Sequence, residues 1–201
     1  MRSNTSIFGR RALVAGIAAC SLLVWVSSAS AQTGGSPTSG SESTPPPSSE
    51  PAPTSFPTVP GNRAKLKKNG KAIPPAGAPP AVQNAIIQAN AIRKLPYRYG
   101  GGHASFSDSG YDCSGAVSYL LYAAGLLDAP MPSGPFMSWG LPGKGDWITV
   151  LANRGHMYAV VAGLRWDTSA VGEPSRRGSG PRWRATKRRP KGYAVRHIEG
   201  Y

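Results

Sequence analysis

The sequence predicts an α+β domain in its last 120 or so residues: an antiparallel sheet packed against helices, with a cysteine at the head of one helix. Three observations predict it. Two segments with helical spacing, 81–94 and 113–127, come first. Short strand-like segments follow from residue 147 onward. The two types do not alternate, which argues against repeated βαβ units. No internal repeat is present.

Residues 1–31 read as a signal peptide. Arg2, Arg10 and Arg11 precede an apolar run from Ala12 to Val26, and Ser27-Ser28-Ala29-Ser30-Ala31 follows. Small residues thus stand at the −3 and −1 positions before Gln32, the layout of a cleaved secretory leader. The run is too short for a comfortable membrane span. The mature chain is expected outside the cytoplasm, with no transmembrane segment. Ile17-Ala18-Ala19-Cys20 also looks like a lipoprotein processing site, but the apolar run continues past Cys20 to Val26.

Residues 32–80 read as a disordered linker. Up to Pro60 they are almost all Ser, Thr, Pro and Gly, too polar to offset the entropy of ordering. A basic patch follows from Arg63 to Lys71, and Pro74, Pro75, Pro79 and Pro80 close the segment.

The folded domain is expected over 81–201. Apolar residues at 82, 85, 86, 89 and 92 give the first helix, ended by Pro96. Gly100-Gly101-Gly102 reads as a turn or a close-approach loop. The second helix carries a stripe of Ala116, Val117, Leu120, Leu121 and Ala124, with Gly125 as its stop. A loop from Pro130 to Gly145 leads to a strand at 147–151. Met157 to Leu164 reads as a buried strand, with Arg165 to Thr168 either continuing it or turning into the next. Gly172 to Gly180 reads as a flexible loop, and Tyr193 to Ile198 as the last strand.

The chain has 23 Lys and Arg against 9 Asp and Glu. Without the three leader arginines it remains strongly basic, which favours an anionic partner. For an exported protein, lipid headgroups or acidic envelope polymers fit better than nucleic acid. Arg182-Trp183-Arg184 and Lys187-Arg188-Arg189 do interleave basic and aromatic residues as nucleic-acid binders do. Export argues against that partner.

Loss of Cys20 with the leader leaves Cys113 alone, so no internal disulfide forms. Such a cysteine is an intermolecular bridge, a free reactive thiol, or an inert small hydrophobe. Its position selects among these. Asp112 is a favoured N-cap type, which puts Cys113 at the first helical position. Unpaired N–H groups and the positive end of the helix dipole meet there, an environment that favours thiolates in general. A nucleophile also needs a base. Of His103, His156 and His197, His156 opens a strand. Asp167, eleven residues on, returns beside it if a tight turn intervenes and is carried away if the strand continues. In the first case it can orient the imidazole. His103 reads as loop surface and His197 as structural. Trp139, Trp147 and Trp183 read as core or rim residues.

Pro96-Tyr97-Arg98-Tyr99-Gly100-Gly101, Asp112-Cys113-Ser114-Gly115 opening a helix, and Gly155-His156 opening a strand together resemble the NlpC family of peptidoglycan endopeptidases. These proteins are similar to papain in miniature. The likeness covers roughly the last 110 residues. It implies a small papain-like domain with Cys113 as nucleophile, His156 as general base and Asp167 as the third polar residue. It also implies that the Tyr97 hydroxyl polarises the substrate carbonyl. Asp112 and Ser114 would bind the stem peptide, the acid meeting its free amino end. The implied reaction is hydrolysis of an amide in the peptide stem of peptidoglycan, often between D-glutamate and diaminopimelate. It runs through a thioester, with no metal or cofactor, in a monomer. The Asp146-Trp147-Ile148-Thr149 segment, the long loop from Gly102 to Tyr111 and the basic tail from Arg182 to Arg189 depart from the family pattern. Two other readings use the same residues: a catalytically inactive cell-wall-binding module, and a thiol amidase or acyltransferase acting on another substrate.

Overall fold

The computed structural model describes residues 56–173 and 179–201. The expected signal peptide, Cys20 and the Ser/Thr/Pro-rich part of the expected linker lie outside them.

Two helices carry the core. Helix α1, Pro80–Ile92, starts with proline in its first turn, where no N–H is needed. It buries Val82, Ala85, Ile86, Ala89 and Ile92, the stripe its spacing predicts. Helix α2, Cys113–Ala123, is capped by Asp112, whose side chain accepts from the Gly115 N–H at 2.8 Å. Gly125, at φ +70°, ends it. The two helices pack on each other.

The strands are β1 (Lys65–Leu66), β2 (Ala72–Ile73), β3 (Leu141–Pro142), β4 (Ile148–Ala152), β5 (Met157–Val161), β6 (Leu164–Asp167), β7 (Arg182–Arg184) and β8 (Ala194–His197). A four-residue helix, α3 (Ser133–Phe136), precedes β3. Strands β3 to β8 form one antiparallel sheet in the order β3-β8-β4-β5-β6-β7. Helix α2 lies on β5 and β6. Trp166, fully buried on β6, fixes that contact by donating its indole N–H to the Ala116 carbonyl at 2.8 Å. The α+β architecture is the expected one, and Cys113 opens the helix that lies against the sheet.

The apolar run from Met157 to Leu164 is two strands, not one. Ala162, at φ 44°, and Gly163, at φ 86°, make a turn with both central residues left-handed. Such turns match the twist of a hairpin. Val161 pairs with Leu164 across it. Of the two courses open in sequence, the chain therefore takes the return, and Asp167 comes back toward the start of β5.

The fold also starts earlier than position 81. Val59 bridges Pro75, and β1 pairs with β2 in a hairpin. Ala72 is fully buried, and Asn90 of α1 serves both of its backbone groups at 2.9 Å. Residues 59–80 belong to the domain, which corrects the linker boundary. Proline, glycine and lysine hid this, because the segment borrows a side-chain amide from α1 for pairing. The loop expected from Pro130 to Gly145 holds α3 and β3, and the basic tail contributes β7. Part of the loop expected at 172–180 lies outside the described residues.

Candidate active site

The glycine run is a docking surface for the start of α2. A Cβ on Gly115 would run into the Gly101 carbonyl, and one on Gly102 into the Tyr111 ring. The Gly101 carbonyl accepts from the Asp112 N–H at 3.2 Å. One step upstream, Tyr97 forms a bridge with Tyr111, and Arg98 N–H donates to the Tyr111 carbonyl. Close backbone approach thus brings Tyr97 to the head of α2. Burial raises the Tyr97 phenol above its ordinary pKa, helped by the nearby charges of Cys113 and Asp112.

Opposite them, the β4–β5 connection holds His156. The Asn153 side-chain oxygen accepts from the Gly155 and His156 N–H groups at 3.0 and 2.8 Å. The His156 Nε2 sits 2.9 Å from Asp167 Oδ1. Asp167 thus takes Nε2 and not Nδ1. Burial pushes the His156 pKa down. The hydrogen bond with the Asp167 side chain, the neighbouring Cys113 and the charge of the carboxylate outweigh that and raise it to about 9. Cys113 is 9% exposed and has no disulfide.

Asp167 has no side-chain exposure. Burial alone would raise its pKa. The bonds from His156 and from the Ser169 N–H, with Arg165 nearby, hold it below the ordinary carboxylate value. Ser169 N–H donates to Oδ1 at 2.8 Å, and Arg188 Nη1 donates to Oδ2 at 3.2 Å. Arg165 Nε lies 3.5 Å from the same Oδ2. Arg184 Nε donates to the Asp167 carbonyl at 3.1 Å. The Arg188 guanidinium is also 5.4 Å from the ring centres of Tyr158 and Tyr193, a stacking that fixes its direction.

Asp112 is more fully engaged than sequence suggests. Oδ1 meets the Gly115 N–H, the Ser114 hydroxyl at 3.1 Å and His103 Nε2 at 3.0 Å, and Oδ2 accepts from the Gly100 N–H at 3.1 Å. His103 Nε2 is also 3.0 Å from Ser114 Oγ. His103 is therefore bound to the two residues flanking the cysteine, which corrects its reading as loop surface. The signal for it was its place directly after three glycines that dock on α2. Arg165 and Arg188 carried no such signal. His197 meets the Gly143 carbonyl on the far edge of the sheet.

The structure thus gathers Tyr97, Asp112, Cys113, Ser114, His156 and Asp167 around one helix terminus, and adds His103. The arrangement has the parts of a thiol nucleophile: sulfur, imidazole and orienting carboxylate.

No family model matches the chain. No curated protein matches it either. Among solved structures, it is similar to the peptidoglycan hydrolase RipB of Mycobacterium tuberculosis, at 21% identity and a TM-score of 0.45, over 60% of this chain and 66% of that one. It is also similar to a mutated form of the resuscitation promoting factor interacting protein RipA, at 22% identity and a TM-score of 0.42, over 59% of this chain and 63% of that one. A hypothetical invasion protein of Mycobacterium tuberculosis is similar at 22% identity and a TM-score of 0.40, over 59% and 62% of the two chains. The chain spans a little under two thirds of the length of each. At this identity the likenesses assign no residue of this chain a role.

Proposed function

We propose that this protein is a secreted peptidoglycan hydrolase of the thiol type, acting in the cell envelope on an amide of the stem peptide. The observation that carries it is His156 held 2.9 Å from a buried Asp167, beside Cys113 at the head of α2. The substrate class rests on the motif likeness around Tyr97, Cys113 and His156, and the bond between D-glutamate and diaminopimelate is the one it favours.

In this reading Cys113 reacts as a thiolate paired with the imidazolium of His156. The sulfur attacks the amide carbon, and the carbonyl oxygen becomes an oxyanion. The Cys113 N–H and the Tyr97 hydroxyl stabilise that oxyanion, a term worth roughly 3 kcal/mol per donor. His156 then gives its proton to the leaving nitrogen as the C–N bond breaks, which leaves a thioester and a free amine. Water attacks the thioester while His156 takes its proton. The acid leaves and the thiolate–imidazolium pair returns. Asp167 keeps the ring oriented throughout, stabilises it in its charged form before and after the proton transfers, and does not itself change protonation.

Digestion of purified peptidoglycan by the mature protein, read by mass spectrometry against Cys113→Ala, tests this reading. New stem fragments that vanish in the variant are expected. No fragments, with both proteins still sedimenting with the wall, would replace it with a binding module.

A further inference from the structure

The two basic runs of the sequence meet in a pocket that the thiol chemistry does not use. Its volume is about 280 Å³, close to the lower end for small-ligand sites. The β1–β2 loop supplies Lys68 and the end of α1 supplies Arg93 and Lys94. Strand β7 supplies Arg182, Trp183 and Arg184, and Glu173 is the lone acid.

The cations here exceed their acceptors. Arg182 Nη1 donates to the Arg93 and Leu95 carbonyls, and Arg184 Nη1 grips Glu173. That still leaves Arg93 Nε, Trp183 Nε1 and Arg184 Nη2 buried with no partner among the described residues. Trp183 is 5% exposed and Arg184 2%. Arg184 and the Glu173 that it holds both line the pocket. Burial lowers the Arg182 pKa, and the charges of Arg184 and Arg93 lower it further, the mark of crowded like charges. Guanidinium, ammonium and indole N–H groups donate and do not accept. The ligand that fits is therefore negative and rich in acceptors. Guanidinium forks match phosphate oxygens in particular.

We propose that this pocket binds a phosphate group, borne either by a soluble or polymeric phosphodiester or by an anionic lipid headgroup. The site stands independently of the thiol chemistry, so the Cys113→Ala protein binds equally well.

Nitrogen-15 NMR of the secreted full chain tests it, with inorganic phosphate titrated against sodium chloride at equal ionic strength. The Trp183 indole N–H signal is expected to shift saturably with phosphate alone. The Trp166 indole, already bonded to the Ala116 carbonyl, is the internal reference. Lys68 and Lys94 are exposed, so the double variant K68Q/K94Q keeps the fold and is expected to weaken binding about fivefold. Glycerol phosphate and vesicles containing phosphatidylglycerol separate the sources. Vesicle uptake that glycerol phosphate displaces assigns the lipid. Saturation by glycerol phosphate without vesicle uptake assigns the soluble or polymeric phosphate. A shift that never saturates, or equals that in chloride, or a double variant with unchanged affinity, overturns the site.

Discussion

His156 Nε2 lies 2.9 Å from Asp167 Oδ1, and the other oxygen of that carboxylate is held by Arg188 at 3.2 Å. The acid is thus pinned from both sides and wholly shielded from water. A carboxylate so held keeps one ring orientation in its partner and favours the charged imidazole.

Replacing Asp167 with Asn keeps the shape and removes the charge. The His156 pKa is expected to fall, and alkylation of Cys113 near neutral pH to slow about tenfold, one pKa unit of lost stabilisation. The rate of iodoacetamide labelling measures it. Unchanged labelling would remove Asp167 from the reactive set.

The charged form of His156 also bears on stability. Its folded pKa of about 9 stands above the ordinary 6.5. The stabilisation is therefore complete below about pH 6.5 and is lost as pH rises through about 9. The Tm of the native protein, referred to His156→Gln at each pH, is expected to decline across that window. A flat difference would mean that the imidazole is not held charged.

Arg188→Gln removes one of the bonds to Asp167 and the stacking on Tyr158 and Tyr193. A hydrogen bond to a buried charged group is worth about 2 kcal/mol. Urea unfolding is expected to show a loss of that order, and the His156 titration curve to shift as well. A stability loss with an unmoved titration would make Arg188 merely structural.

His103→Ala takes one partner from Asp112 and one from Ser114. The cap of α2 survives through the Gly115 N–H. Cys113 labelling is expected to stay constant while KM for stem peptides rises several-fold, because the proposed peptide contact at Asp112 and Ser114 loses an anchor. Equal loss in labelling and KM would place His103 in support of the helix instead.

Gly115→Ala sets a methyl against the Gly101 carbonyl. Overpacking against backbone costs about 1–3 kcal/mol. Urea unfolding should show this loss, together with slower Cys113 labelling as the head of α2 shifts.

Helices α1 and α2 were legible because their apolar residues follow the helical repeat, and Cys113 was legible because an N-cap residue precedes it. The hairpin that returns Asp167 was not fixed by pattern. Met157 to Leu164 is apolar throughout, so periodicity hides the break, and Ala162 is a residue type that seldom adopts positive φ. The β1–β2 hairpin escaped notice for a different reason. Its inner partner is the polar side chain of Asn90, which sequence reads as a mild irregularity in a helix. Arginines 182, 184 and 188 sat in a charge run, and nothing local separates a buried arginine from a solvated one. Arg184 and Arg188 take their roles from Glu173 and Asp167, and Arg182 takes its role from the Arg93 and Leu95 carbonyls, none of them a near neighbour in sequence.

The leading segment also clasps the turn on which Asp167 depends. Ala64 N–H donates to the Ala162 carbonyl at 2.9 Å, and the Arg63 guanidinium occupies the space that a side chain at Gly163 would fill. Lys67 and Lys68 stand exposed immediately after this clasp. A protease with trypsin-like preference meets an accessible cleavage point there. Scission at that point leaves the clasp attached to the domain by non-covalent contacts alone, among them the β1–β2 pairing, the Val59–Pro75 bridge and the Ala64–Ala162 hydrogen bond.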